Sequence, residues 1–237
     1  MDPACGDEHR RSPHPLDYPI WSALTARQRD IAEGDGLVWR YPVAIAPFAA
    51  VADLSAASFA ALHRLIAASD RVALFTPEPV VPPDEFEVQM AKTGEQMVGS
   101  VSDAPGGGPQ MVVLGPDDVP AMLELAELTK PGPFSARTHE LGTFLGIRVG
   151  NQLAAMAGER MKLDGYTEIT AVCTHPSHRG RGYAQALLGA VSRIIVRRGE
   201  TPFLHVFSDN APAIALYHRM GLSIRRRIYV TVLGNHA

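Results

Sequence analysis

Residues 174–191 read THPSHRGRGYAQALLGAV. A β-branched, apolar run ends at Thr174, Pro176 helps to stop it, and a helix-periodic stretch begins near Gly182. Between them stand Arg179, Gly180, Arg181 and Gly182. A helix N-terminus exposes four unpaired N–H groups and carries a partial positive charge. Phosphate oxygens bind there readily, and glycine lets a ligand approach the backbone with no Cβ in the way. The stretch therefore reads either as a strand, an anion-sized nest and a helix, or as a tight turn with solvated arginines. It is neither a Walker A loop nor a G-x-G-x-x-G fingerprint. An arginine–glycine RNA-binding segment needs disorder and repeats, whereas this one is wedged between two regular elements.

The surrounding elements follow from periodicity. Towards the N-terminus, TEITAVCT (167–174) reads as a strand, and FLGIRV (144–149) and QLAAMAGERMKL (152–163) as a hairpin across Gly150 and Asn151. QMVVL (110–114) reads as a strand and PDDVPAMLELAELT (116–129) as a helix with acids in its first turn. Towards the C-terminus, a helix over 182–198 places Tyr183, Leu187, Val191, Ile194 and Ile195 at helical spacing. PFLHVF (202–207) is a strand, NAPAIALYHRMG (210–221) a helix closed by glycine, and IRRRIYVTVL (224–233) a final strand or two. The order is β-α-β-β-β-α-β-α-β.

Further upstream, SDAPGGGP (102–109) reads as a linker. Residues 16–101 read as a first α/β unit. It holds a strand near 36–41 ended by Pro42, a helix over 55–69 capped by Ser55, and a short strand RVALF (71–75). Its helix carries Phe59, Leu62, Leu65 and Ile66 as an apolar stripe, and TPEPVVPP then breaks the order with four prolines. Residues 1–15 read as a disordered polar tail. The chain has 237 residues, 46% hydrophobic and 20% charged, which is globular composition. A net charge of −3 argues against general nucleic-acid or membrane-surface binding. Cys5 and Cys173 are the two cysteines, far apart in sequence, which fits a reducing compartment. No apolar run approaches the roughly 20 residues of a membrane span, and residues 1–15 have no apolar core of a signal peptide. The expectation is a soluble, cytoplasmic monomer or homodimer.

VCTHPSHRGRGYAQALL (172–188) resembles motif A of the GNAT superfamily of N-acetyltransferases, in which a strand runs through an Arg/Gln-x-x-Gly-x-Gly/Ala turn into a helix. DNAPAIALYHRMGL (209–222) resembles the next signature of that family, Asn-x-x-Ala-x-x-x-Tyr-x-x-x-Gly-Phe, with Leu222 in place of the usual aromatic. AMAGERM, TEITAVCTHP and PFLHVFSDN point to its predicted-acetyltransferase branch. The resemblance covers residues 110–237. It implies an α/β (α+β) fold with a GNAT-type mixed, mostly antiparallel sheet flanked by helices. The N-terminal unit, 16–101, would be either a degenerate second copy or a family-specific cap.

The resemblance implies acetyl-CoA as cosubstrate and an amine acceptor, either a small molecule or a protein or peptide amine, with no metal. It assigns the pantetheine and carbonyl contacts to Val172, Cys173 and Thr174, where an extended ligand can pair with a free strand edge. The pyrophosphate falls to the N–H groups of Arg179, Gly180, Arg181, Gly182, Tyr183 and Ala184, with Gln185 beside them. Asn210 would contact the cofactor chain; its plainer role is an N-cap. Tyr217 is the implied general acid, against a packed tyrosine on an amphipathic helix. Glu168 and His205 compete as general base, against an exposed strand-start carboxylate and a satisfied core histidine. Glu168, Thr170, Val172 and Thr174 would share one strand face.

Several neighbours read as ordinary structure. Cys173 as a covalent nucleophile is disfavoured, because a strand cysteine is usually a small hydrophobe. His175 and His178 are solvated turn residues with no matching ligand set. Arg225, Arg226 and Arg227 read as a solvated strand edge, or as a collar for an acidic group. The loop 128–142 is expected to shape the acceptor site, with Phe134 lining it, and Glu159 reads as structural. Three rivals accompany the acetyltransferase expectation: a GNAT-like module that senses acyl-CoA without turnover, a transferase of longer acyl chains, and a scaffold in which the N-terminal unit buries the pocket.

Overall fold

The computed structural model describes residues 14–101 and 108–236. The expected tail up to residue 13, Cys5 within it, and most of the expected linker lie outside the described residues.

Eleven strands and five α-helices are present among the described residues. The first unit holds α1 (Pro19–Thr25), β1 (Glu33–Asp35), β2 (Val38–Arg40), β3 (Ala49–Val51), α2 (Ala56–Leu65), β4 (Val72–Thr76) and β5 (Phe86–Val98). After it come β6 (Val112–Leu114), α3 (Val119–Thr129), β7 (Phe144–Val149), β8 (Gln152–Leu163) and β9 (Tyr166–Thr174). The chain closes with α4 (Tyr183–Arg197), β10 (Thr201–Phe207), α5 (Ala211–Arg219) and β11 (Ser223–Asn235). The expected order β-α-β-β-β-α-β-α-β is what residues 112–235 adopt. The final stretch is one strand.

Among the described residues, eight strands form one sheet in the order β4-β11-β5-β10-β9-β8-β7-β6. All of its pairings are antiparallel except β9 with β10. Strands from both sides of residues 102–109 share this sheet. β5 lies between β10 and β11, bonding to β11 along its length and to β10 from Gly94 to Val98. Its sequence, FEVQMAKTGEQMV, carries no clean alternation, so periodicity gives no strand there. The pairing of both its edges supplies what its side chains do not. β11 pairs with β5 through Arg226 and Arg227 but meets β4 only from Tyr229 to Leu233, so Arg225–Arg227 have a paired strand on one side alone.

The helices cover the sheet by burying one stripe each. α4 buries Leu187, Leu188, Val191 and Ile195 against Leu145, Ile147 and Leu204 of the sheet. On the N-terminal side, Leu16, Ile20, Leu24, Tyr41 and Phe48 pack with Met161, Phe203 and Ile228. The first unit also holds a cluster of its own, in which Val38, Val51, Phe59, Leu62, Ile66 and Phe86 pack together with Leu233 of β11. Asp17 fastens its beginning, accepting hydrogen bonds from Arg225 Nη2 (2.7 Å) and Arg226 Nη1 (2.8 Å).

Candidate active site

The site arises where two parallel strands part. β9 and β10 pair only between Tyr166–Glu168 and Thr201–Phe203. Beyond that point β10 stays bonded to β5 and β9 stays bonded to β8. A bulge drives them apart: Ala171 has φ 52°, and two residues of β9, Ala171 and Val172, face one of β8 between the pairs Met156–Cys173 and Gly158–Thr170. The regular alternation expected from Glu168 to Thr174 is broken at this bulge. A period-2 pattern holds only where the ladder keeps its register.

On the α4 side of the gap lies a cleft of about 550 Å³ lined by Val172, Cys173, Thr174, Gly180 and Gly182 at one end and by Asn210 and Tyr217 at the other. Gly180 (φ 77°) and Gly182 (φ 76°) are left-handed, and a Cβ on either would meet no atom within 4 Å. The glycines are thus set by backbone conformation, and the space over the turn is open. Ala186 N–H is the first in α4 to find an intrahelical acceptor, Gly182 O at 3.0 Å. The amides of Tyr183, Ala184 and Gln185 precede it and have no partner among the described residues. Arg179 and Arg181 are exposed and unpaired among the described residues. This arrangement fits a pyrophosphate. Asn210 caps α5, its Oδ1 accepting from Ala213 N–H at 3.3 Å.

A second cavity, of about 250 Å³, opens on the other side of the gap. Val172, Asn210, Ala213 and Tyr217 border both spaces, with Lys130 and Pro131 from the loop after α3. Tyr217 is 9% exposed, and no described residue hydrogen-bonds its hydroxyl. Burial pushes its hydroxyl up to about 12. The loop after α3 reaches this cavity through Lys130, Pro131, Gly132 and Pro133. Phe134 is turned away instead, edge-on to Phe144 with ring centroids 5.7 Å apart.

Glu168 and His205 are brought together, but neither is free. Glu168 is fully buried, so it is not an exposed strand-start carboxylate. Arg160 grips it with Nε and Nη2, both at 2.7 Å, and His205 Nδ1 lies 2.7 Å from its Oε1. Burial alone would raise the carboxyl; the Arg160 charge and these hydrogen bonds overcome it and bring it to about 2. Gln96 closes the circuit. Its Oε1 accepts from Arg225 Nη1 (2.9 Å), and its Nε2 donates to Leu16 O (2.8 Å) and faces His205 Nε2 at 3.1 Å. Arginine only donates and a carbonyl only accepts, so the amide orientation is fixed and Gln96 donates to His205 Nε2. The imidazole proton then sits on Nδ1 and points at Glu168. The lone pair a base would use is occupied.

Arg160 and Gln96 went unnoticed in the sequence. A second irregularity brings Arg160 in: two residues of β8, Arg160 and Met161, face Glu168 alone between the pairs Glu159–Ile169 and Lys162–Thr167. The signal available was a Glu-Arg pair inside an otherwise apolar strand, since buried charges come paired. Glu159 is taken by Arg198 (2.7 Å), which supports a structural role. Cys173 is 6% exposed, and burial pushes its thiol up to about 11, the opposite of an activated nucleophile. His175 bonds Ser177 and His178 bonds Gln152. Arg225 and Arg226 hold Asp17, and Arg227 lies 3.4 Å from Glu95.

Known proteins share this architecture. A putative acetyltransferase of the GNAT family from Novosphingobium aromaticivorans is 40% identical, with a TM-score of 0.88 over 95% of this chain and 100% of that one. The chain belongs to the GNAT family of acetyltransferases. This GNAT acyltransferase also matches the FR47-like protein family over residues 144–230. It is 30% identical to the [ribosomal protein bS18]-alanine N-acetyltransferase of Salmonella typhimurium, over 52% of this chain and 88% of the relative. N-alpha-acetyltransferase RimI of Mycobacterium tuberculosis is 32% identical over 42% of this chain and 68% of its own. A GCN5-related N-acetyltransferase from Kribbella flavida has the same fold at 16% identity, with a TM-score of 0.60 over 91% of this chain and 96% of that one. No described helix of the GNAT chain is long and apolar enough to cross a membrane.

Proposed function

We propose that this GNAT protein transfers the acetyl group of acetyl-CoA directly to an amine, in a ternary complex. The observation that carries this reading is the gap between β9 and β10, which joins an anion-binding cleft to a separate apolar cavity with Tyr217 bordering both. Acetyl-CoA would supply the acetyl group as a thioester. The amides of Tyr183, Ala184 and Gln185, with Arg179 and Arg181, would hold its pyrophosphate. The free edge of β9 at Val172, Cys173 and Thr174 would orient the extended arm and polarise the carbonyl. Asn210 would border the arm while capping α5. Tyr217 would give its proton to the departing sulfur; burial keeps the hydroxyl protonated at neutral pH.

In this reading Glu168 and His205 position the wall rather than take a proton. Their polar atoms are committed to Arg160, Gln96 and each other. Calorimetric titration with acetyl-CoA, using ADP as control, tests the reading first. Saturable binding that weakens by about tenfold or more in Arg179→Glu, with thiol release on adding an amine, is the expected result. No binding at millimolar acetyl-CoA would sink it.

A further inference from the structure

The acceptor-side cavity has a wall chemistry that selects among amines. Phe48, Phe75, Met90, Val206, Ile228 and Val230 line it. Among the described residues, no aspartate or glutamate does; its titratable side chains are Lys130, Arg160, His205 and Tyr217. Glu168 is buried, and Arg160 and His205 occupy its oxygens. Arg160 lies over the Phe48 ring, 4.6 Å from its centroid. An alkylammonium entering this space would shed water and meet no free carboxylate, since the two cations on the wall, Lys130 and Arg160, already hold Glu127 and Glu168. Burial of an uncompensated charge is strongly unfavourable. It must also lose a proton before its nitrogen can attack, and His205 Nε2 already accepts from Gln96.

We infer that the acceptor is a small, apolar amine that is uncharged at neutral pH, an aromatic amine above all, and that alkylammonium ions and polypeptide N-termini are poor acceptors. The inference rests on the transfer reading above and names its substrate class. The cavity, at about 250 Å³, is smaller than the roughly 300–1,000 Å³ of drug-sized sites, which suits one or two rings. The balance is complete without a side-chain base. The nitrogen–carbon bond forms, the carbon–sulfur bond breaks, and Tyr217 protonates the sulfur. The amine proton, acidic once the nitrogen is acylated, returns to Tyr217 through water.

The test uses the full chain, first shown by calorimetry to bind acetyl-CoA. Thiol release is then measured at neutral pH with para-ethylaniline, its isomer phenethylamine, and a peptide beginning with alanine. The expected result is a kcat/KM for para-ethylaniline at least about tenfold above either of the others. Equal or reversed preference, or no reaction with any of the three while acetyl-CoA binds, overturns the inference and leaves the cofactor site standing. Absence of acetyl-CoA binding overturns the transfer reading and the inference together. Met90→Glu places a carboxylate on the half-buried wall and should move the selectivity towards phenethylamine by about tenfold or more. Unchanged selectivity in a variant that still binds acetyl-CoA would show that this cavity does not receive the acceptor. If Met90→Glu does not fold, the wild-type comparison decides alone.

Discussion

Tyr217 and Glu168 are both buried, yet the acidity of the two groups moves in opposite directions. No described residue hydrogen-bonds the Tyr217 hydroxyl, so desolvation acts unopposed and the hydroxyl holds its proton. Tyr217→Phe is expected to lower kcat by about 10²-fold or more while the calorimetric affinity for acetyl-CoA stays the same. An equal loss of affinity would mean that the hydroxyl binds rather than protonates. Glu168 meets Arg160 at once, and its carboxyl falls from the ordinary 4.5 to about 2. A folded value below the unfolded one adds stability above pH 4.5 that disappears as pH drops towards 2. Urea unfolding followed across that window should show stability falling with acid in wild type and a shallower fall in Glu168→Gln. The same substitution strands the Arg160 charge in the interior and is expected to cost about 3–5 kcal/mol at neutral pH. Unaltered stability would show that the fork contributes little.

At the scale of elements, the turn into α4 separates backbone needs from charge. Gly182 is left-handed, and an alanine there is strained by roughly 1–2 kcal/mol although its Cβ meets nothing. Gly182→Ala should therefore lower the urea midpoint modestly. Arg179→Glu touches no described neighbour, so its stability should stay near wild type while acetyl-CoA affinity falls by about tenfold or more. Raising the salt concentration should shrink that difference, since exposed charges are screened. A salt-independent loss would point to a rearranged turn instead.

Across the whole molecule, the first 101 residues and the last strand are tied together around the acceptor cavity. Asp17 holds Arg225 and Arg226, Arg225 holds Gln96, and Gln96 fixes His205. Phe48 and Phe75 of the first unit help form the cavity wall. Asp17→Asn should loosen this cap and raise the acceptor KM several-fold, with acetyl-CoA affinity unchanged because none of Asp17, Arg225, Gln96 and His205 lines the α4 cleft. A parallel loss of both affinities would mean that the two halves of the site are not separable in this way.

The local signals were strong over residues 110–237. Each strand and helix there carries its own periodicity, and the glycines at 180 and 182 mark a conformation only glycine adopts cheaply. The turn proposed to hold the pyrophosphate, Arg179 to Gln185, was therefore legible as a run of neighbours. The acceptor half was not. Phe48, Phe75, Gln96, Arg160 and His205 come from separate strands and loops, and only the sheet order brings them together. β5 is a strand because β10 and β11 offer it two edges, a fact no local pattern contains. The fate of Glu168 and His205 was decided in the same way. Their residue types suit a base, but their partners come from β5 and β8, and hydrogen bonding across the sheet determines which lone pairs remain for chemistry.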